Sequence, residues 1–132
     1  MISANKPLSQ SEYELYFSYN ELLNSIEEGF TYLIQSFEVI EYTEGERVMN
    51  DIIDAFVQID SIHSGMFDAA KENEPLQQQI LLFDRIIDEL MPFTASKDDS
   101  IILQSYIKDK LFTLFLEWKK DIQAYIMPYI LH

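Results

Sequence analysis

Apolar residues in the middle of this chain recur at alternating steps of three and four, and no other feature restricts the fold as strongly. Within residues 43–71 the apolar positions are Met49, Ile52, Phe56, Ile59, Met66 and Ala70, with His63 in the one gap. This spacing places the side chains on one side of an α-helix. The opposite side is polar and consists of Asp51, Asp54, Gln58, Ser61 and Asp68. Because one helix cannot cover its own apolar face, the segment predicts a bundle of packed helices.

Capping signatures predict where the first two helices begin. Ser9 and Glu12 have the spacing at which each side chain bonds the backbone of the other, so a first helix should start at Ser9 and run to about Ile40. Thr43 and Glu46 repeat this signature at the start of the central helix. The apolar stripe of the first helix comprises Leu15, Tyr19, Leu22, Leu23, Ile26, Phe30, Leu33, Ile34 and Phe37.

Prolines indicate the limits of the last two helices. Pro75 suits the first turn of a third helix, where its missing N–H is not needed, and Pro92 is expected to end that helix. Ser96 is expected to cap a fourth helix that ends near Pro128 and leaves residues 129–132 as an apolar tail. The core positions predicted for the third helix are Leu76, Ile80, Phe83, Ile87 and Leu90. Those of the fourth are Leu103, Ile107, Leu111, Leu114, Trp118, Ile122 and Tyr125.

These segments predict a single all-α domain over residues 1–132, with a loose leader at 1–8. The connections are short, so consecutive helices should run antiparallel in an up-down-up-down four-helix bundle. Gly29 lies inside the first helix, where glycine costs about 1 kcal/mol relative to alanine. A break at Gly29 would give five helices, whereas a close approach of two helices at Gly29 would leave four.

The composition agrees with long helices in a soluble protein. Of 132 residues, 48% are hydrophobic, while only 3 are glycine and 4 are proline, which disfavours a turn-rich sandwich or barrel. The chain has no cysteine, and this excludes a thiol nucleophile and fits a reducing compartment. The first ten residues contain no signal-peptide run, and no window reaches the ~20 apolar residues of a membrane span. We therefore expect a cytoplasmic protein that does not enter membranes.

The formal charge of −14 is distributed unevenly. Between Lys6 and Arg47 there is no basic residue, but there are nine glutamates. Nucleic acids and anionic membrane surfaces repel such a chain, so neither is an expected partner. The acidic stretch is interpreted either as a solvated, solubilising face or as a surface for a basic partner.

Several apolar residues lie outside the predicted core stripes and are candidates for contact with another protein. Phe17 and Tyr32 point away from the core side of the first helix, on the same side as Glu14, Glu21 and Glu28. A second candidate set comprises Phe112 and Leu116 of the fourth helix and Tyr129 of the tail. This second set is interpreted either as extra burial of the fourth helix or as a groove for an amphipathic helix or a second copy.

Asp60 and His63 lie three residues apart on the central helix, as in the Glu-x-x-His motif of di-iron bundles. Such a centre needs the motif twice and two further inward carboxylates, but the other histidine of this chain is His132 at the end. We therefore predict no metal and no cofactor, and we expect His63 to be packed and bonded to Asp60 or a backbone carbonyl. Because no Gly-x-Ser-x-Gly motif and no glycine-rich phosphate loop is present, we predict no catalytic residue and no enzyme.

Two runs, YNELLNSIEEGF at residues 19–30 and MNDIIDAFVQI at residues 49–59, resemble small all-helical proteins of unassigned function from Bacillus-type bacteria. The resemblance covers about the first half of the chain, and it implies a helical bundle of bacterial, cytoplasmic origin. It implies no catalytic residue. In size, acidity and helical content the chain also resembles bacterial secretion and flagellar export chaperones.

The first functional hypothesis is a non-catalytic, chaperone- or adaptor-like protein that acts through protein–protein contact, either with a second copy or with a partner helix. The second is an acidic DNA mimic that blocks a DNA-binding protein. Against it, Glu14, Glu21 and Glu28 lie ~10.5 Å apart along the helix, which is sparse for a row of phosphates. The third hypothesis is a metal- or ligand-binding bundle that uses Asp60 and His63.

Overall fold

The computed structural model describes residues 9–37, 45–95 and 101–130, and within them the protein is an all-α bundle of four helices without strands. Helix α1 spans Gln10–Ser36, α2 spans Gly45–Ala69 and α3 spans Glu74–Ala95. The fourth helix, α4, has three consecutive parts: an α-helix over Ile101–Tyr106, a π-helix over Ile107–Leu111 and an α-helix over Phe112–Ile130. Helices adjacent in sequence pack together, and α1 also packs against α4, which closes the bundle.

The start of α1 confirms the predicted capping box. The Glu12 backbone N–H donates to Oγ of Ser9 over 3.2 Å, and the Ser9 N–H donates to Oε1 of Glu12 over 3.1 Å. The helix ends at Ser36, before the predicted Ile40, which lies outside the described residues. The capping box of Thr43 with Glu46 cannot be placed, because Thr43 also lies outside them.

Gly29 does not break α1, so the five-helix alternative is wrong. A Cβ at this position would lie 3.3 Å from Cγ1 of Ile52 on α2, closer than ordinary van der Waals contact. Glycine therefore allows the two helices to approach closely at this point. This close approach explains the glycine without a bend in α1.

The predicted helix end at Pro92 is wrong, since α3 continues to Ala95, whereas α4 extends to Ile130, two residues past Pro128 and close to its predicted end. Each proline lies within the last turn, where it removes one backbone hydrogen bond from a helix that is already fixed by packing. Beyond Pro128, Tyr129 and Ile130 pack against the core. They are thus part of α4, whereas residues 131 and 132 of the predicted tail lie outside the described residues.

Among the described side chains, the core of α4 differs from its predicted stripe at two positions, each by one residue. Phe115 and Ile126 are fully buried, whereas Tyr125, a predicted core residue, is 38% exposed and Leu114 is half-buried. The buried positions of α4 are Ile107, Leu111, Phe115, Trp118, Lys119, Ile122 and Ile126. The predicted positions Ile107, Leu111, Trp118 and Ile122 are buried, so the sequence located this face and missed Phe115 and Ile126 by one residue each.

Aromatic rings from all four helices meet at the centre of the bundle. The Phe56 ring of α2 lies 6.1 Å from Phe30 of α1, 5.5 Å from Phe83 of α3 and 5.7 Å from Phe115 of α4, measured between ring centroids. The Trp118 ring lies 4.7 Å from that of Phe83, and its Nε1–H donates to the carbonyl of Gln79 over 2.7 Å. This cluster holds the helices in fixed positions and thereby determines which side of each helix faces solvent.

Candidate functional site

One row of exposed side chains follows the solvent side of α1 over most of its length. We call this row the α1 outer face. It consists of Glu14, Phe17, Glu21, Ser25, Glu28 and Tyr32, all of which are exposed. Successive members are three or four residues apart, so the row runs straight along the helix. The sequence predicted five of the six, because exposure here follows the regular helical period; Ser25 was missed.

The aromatic members of the α1 outer face are the two large apolar side chains that α1 exposes. Phe17 is 45% exposed and Tyr32 is 49% exposed. The Phe17 ring stacks on Tyr13, with centroids 6.3 Å apart, so it has a preferred orientation on the surface. The other large hydrophobic residues exposed in the described part of the chain lie on the other three helices and are Val57, Leu81, Leu82 and Tyr125.

The acidic members of the α1 outer face are not neutralised by neighbouring bases. Neither Glu21 nor Glu28 forms an ion pair with another described residue, and Oε1 of Glu14 accepts a hydrogen bond from the amide of Gln10 over 3.1 Å. The neighbouring Glu27 differs, because it points toward α4 and pairs with Lys119 over 3.0 Å. The outer face thus combines uncompensated negative charge with exposed aromatic surface.

The second predicted contact set is used largely for packing within the bundle. Phe112 is half-buried with its ring 5.2 Å from that of Phe30. Tyr129 is half-buried, stacks on Tyr16 at 5.4 Å and accepts a hydrogen bond from the amide of Asn73 over 3.1 Å. Leu116 is half-buried as well.

The structure does not join this second set to the α1 outer face. Phe112 and Tyr129 contact opposite ends of α1, at Phe30 and Tyr16, on the side that packs against α4. The outer face points away from that side into solvent. The sequence could not show this, because it does not say which helices are neighbours.

His63 is buried among aromatic rings and is bonded to Tyr19. Its side chain is 5% exposed, and 2.7 Å separates its Nε2 from the Tyr19 hydroxyl oxygen. The Phe83 and Trp118 rings lie edge-on to the imidazole at 4.9 and 5.8 Å. Burial lowers the pKa of His63 to about 4 and raises the pKa of Tyr19 well above its usual value, so both groups are neutral near pH 7.

The expected bond between His63 and Asp60 is wrong. Asp60 is exposed, and the partner of the imidazole comes from α1, 44 residues away in sequence. Sequence spacing identified His63 as a packed residue, but a partner on another helix has no local signature. The structure does not bring Asp60 and His63 together as a ligand pair.

A polar network between α1 and α4 was not predicted. Gln123 donates through Nε2 to Oδ1 of Asn20 over 2.8 Å and to Oδ1 of Asn24 over 3.1 Å. Its Oε1 accepts from the ammonium of Lys119 over 3.2 Å, and that ammonium also pairs with Glu27. Lys119 is only 8% exposed, so its ammonium is largely removed from water. The hydrogen bond to Gln123 and the ion pair with Glu27 compensate for this loss of solvation. On each helix the polar members are four residues apart, Asn20 and Asn24 on α1 and Lys119 and Gln123 on α4. This spacing was the sequence feature that could have indicated a polar contact.

The described residues, 9–37, 45–95 and 101–130, contain no group of three or more His, Asp or Glu side chains that could hold a metal ion. None of the helices in this part of the chain is long and apolar enough to cross a membrane.

Fold and surface define a class: small, acidic, all-α four-helix bundles with one acidic and aromatic helix face. The chain belongs to the family described as "Domain of unknown function (DUF8042)", whose model matches residues 14–121. It is also similar to "Uncharacterized protein YvzG" of Bacillus subtilis strain 168, with 29% identity over 124 residues, or 94% of this chain and 98% of that protein. The resemblance to small Bacillus-type proteins is thereby confirmed. No solved structure matches the chain.

Proposed function

We propose that the protein is a non-catalytic binding module that contacts another protein through the α1 outer face. The observation on which this rests is the exposure of Phe17 and Tyr32, 45% and 49%, on a helix whose opposite side is fully packed. A bundle helix needs one apolar stripe for folding, and these two rings are not part of it. Aromatic side chains are enriched among the residues that dominate binding at protein interfaces.

Glutamates around the two rings suit the rim of such a contact. Rim charges change the rate of encounter and the choice of partner more than the final affinity. Glu14, Glu21 and Glu28 flank Phe17 and Tyr32 along the row, so the aromatic rings would supply affinity and the carboxylates would select a partner. This division of roles matches an adaptor or chaperone, which we expect to act in the cytoplasm.

The environment of His63 supports a function without catalysis. A general base must reach a proton on its substrate, and its pKa should lie near the working pH. The His63 imidazole is enclosed by Tyr19, Phe83 and Trp118, and its pKa is lowered to about 4. The histidine thus fits a structural role in the core, and we propose neither a metal nor a cofactor.

The test is capture of partners from lysate of the host bacterium with three tagged proteins: the wild type, the double variant Phe17→Ser/Tyr32→Ser and the control variant Val57→Ser/Leu81→Ser. The control removes two similarly exposed apolar side chains from α2 and α3. We expect a stoichiometric partner that the wild type and the control retain and the α1 variant loses. A partner retained by all three proteins, or no partner at all, would contradict the proposal. Far-ultraviolet circular dichroism checks that each variant is folded.

A further inference from the structure

We infer that the partner of the α1 outer face is a cationic amphipathic helix that lies lengthwise along α1. This inference rests on the proposed function and specifies the chemistry of the partner. It follows from the spacing of the carboxylates, from the sign of the charge and from the positions of the two rings.

The spacing of the glutamates matches the repeat of a second helix. Glu14, Glu21 and Glu28 are seven residues apart, or ~10.5 Å at 1.5 Å per residue. Basic residues at every seventh position of a partner helix recur on one side at the same ~10.5 Å, so all three pairs form together. An extended peptide presents same-side residues every ~6.6 Å and would match one carboxylate at a time.

The charge argues against a second copy of this chain as the occupant. A symmetric contact through the same face would place glutamates of one copy near glutamates of the other, and like charges at an interface are unfavourable. The nearest basic residues in the sequence, Lys6 and Arg47, lie outside α1 on either side. A partner must therefore bring the positive charge.

The two rings fix the length of the contact. Phe17 and Tyr32 lie fifteen residues apart, or ~22 Å along the helix axis. A compact loop cannot reach both rings, whereas a helix of about 18 residues spans ~27 Å and covers the row from Glu14 to Tyr32. Its apolar side would contact the rings, and its lysine or arginine side chains would reach the carboxylates and the ring faces.

The test uses two synthetic 18-residue peptides of identical Leu, Ala and Lys composition, labelled for fluorescence anisotropy. In one peptide three lysines are seven residues apart and share a side with the leucines. In the other they are five residues apart and point in three directions. At 50 mM salt we expect the first peptide to bind the full-length protein about 4-fold more tightly than the second, because it forms two more ion pairs and each contributes about two-fold.

Matched variants locate the binding. Glu14→Gln/Glu21→Gln/Glu28→Gln removes all three pairs and should weaken binding of the seven-spaced peptide by about 8-fold. The control Asp51→Asn/Asp54→Asn/Asp68→Asn removes the same charge from exposed positions of α2 and should change binding by less than about two-fold. Equal binding of both peptides, or equal weakening by both triple variants, would overturn the inference. Such results would mean that the surface recognises charge alone, as a DNA mimic does.

Sedimentation velocity and the lysate experiment separate this inference from the proposed function. Self-association that is lost in Phe17→Ser/Tyr32→Ser would assign the face to a second copy, which overturns the helix partner but leaves contact through the face intact. A captured partner whose binding segment is not a basic helix has the same consequence. If a partner is captured equally well without Phe17 and Tyr32, the proposed function itself is contradicted.

Discussion

At the scale of single residues, the polar groups inside the bundle are each matched to a partner. No buried side-chain nitrogen or oxygen among the described residues lacks a hydrogen bond. His63 is bonded to Tyr19, and the buried Lys119 to Gln123 and Glu27. A buried polar group without a partner would cost about 1–3 kcal/mol, so these contacts favour one arrangement of the helices over shifted ones.

His63 should make the stability of the protein depend on pH below neutrality. The unfolded chain binds a proton on this imidazole below about pH 6.5, whereas burial lowers the pKa of the folded state to about 4. Between these values the unfolded state holds more protons, so stability falls as pH falls. From pH 7 to pH 5 the free energy of unfolding should decrease by about 2 kcal/mol through this group. Urea titrations at both pH values measure it.

The matched variant for this measurement is His63→Gln, which keeps a hydrogen-bonding group toward Tyr19 but does not titrate. Its stability should change much less than that of the wild type between pH 7 and pH 5. An equal decrease in both proteins would show that carboxylates, rather than His63, cause the effect.

At the scale of helices, the sequence located the buried face of each helix, and its errors were shifts of one residue and one helix end. The buried faces of α1, α2 and α3 follow the period of an α-helix, so the sequence located them. Some predicted positions were wrong by one residue; for example, Ile87 was predicted for the core, but its neighbour Ile86 is the buried residue. In α4 the sequence did not reveal the π-helical turn, and it chose Leu114 and Tyr125, each one residue before a buried position, Phe115 or Ile126. The predicted helix end at Pro92 failed, because a proline in the last turn removes only one backbone hydrogen bond.

The two described helix-interior glycines should respond differently to alanine. Gly65 of α2 has open space around it, so Gly65→Ala should raise the free energy of unfolding by about 1 kcal/mol through helix propensity. Gly29→Ala gains the same propensity, but its Cβ meets Ile52 at 3.3 Å. We expect a clearly smaller gain or a loss there, measured by urea denaturation. Equal gains at both positions would mean that close approach of α1 and α2 does not require Gly29.

The π-helical turn should tolerate removal of one residue. Deleting the exposed Asp109 converts this turn to a regular α-helix while Ile107 and Leu111 stay on the core side, so stability should change by less than about 1 kcal/mol. Deleting Lys120, which is also exposed, rotates Ile122 and Ile126 by ~100° away from the core and should cost more than about 3 kcal/mol. Equal costs for the two deletions, measured by thermal unfolding, would contradict this account of α4.

At the scale of the whole molecule, the negative charge opposes the compact state. The formal charge is −14, and the ion pairs described are Glu27 with Lys119 and Glu89 with Lys110. Mutual repulsion of this kind lowers stability and keeps identical molecules apart. The charge and its uneven distribution could be read from the sequence. The Asn20–Gln123 network was missed, because the sequence shows its members one turn apart on each helix but does not show that they face each other.

Salt should therefore stabilise the protein. Raising NaCl from 20 to 500 mM screens the repulsion between surface carboxylates and should raise the free energy of unfolding by about 1 kcal/mol, or roughly 4 °C in Tm. Glu14→Gln/Glu21→Gln/Glu28→Gln removes three charges and should show a smaller increase. A fall in Tm with salt would mean that the attractive ion pairs dominate.

The most direct test of the central claim, that the α1 outer face is the binding surface, is photo-crosslinking in living cells of the host bacterium. A benzoylphenylalanine residue replaces Phe17 in one protein and, as a control, Val57 in another, since Val57 is 62% exposed on α2. We expect illumination to join the protein labelled at position 17 to a different protein, with no such adduct from position 57. No adduct at position 17, or the same adducts from both positions, would contradict the claim.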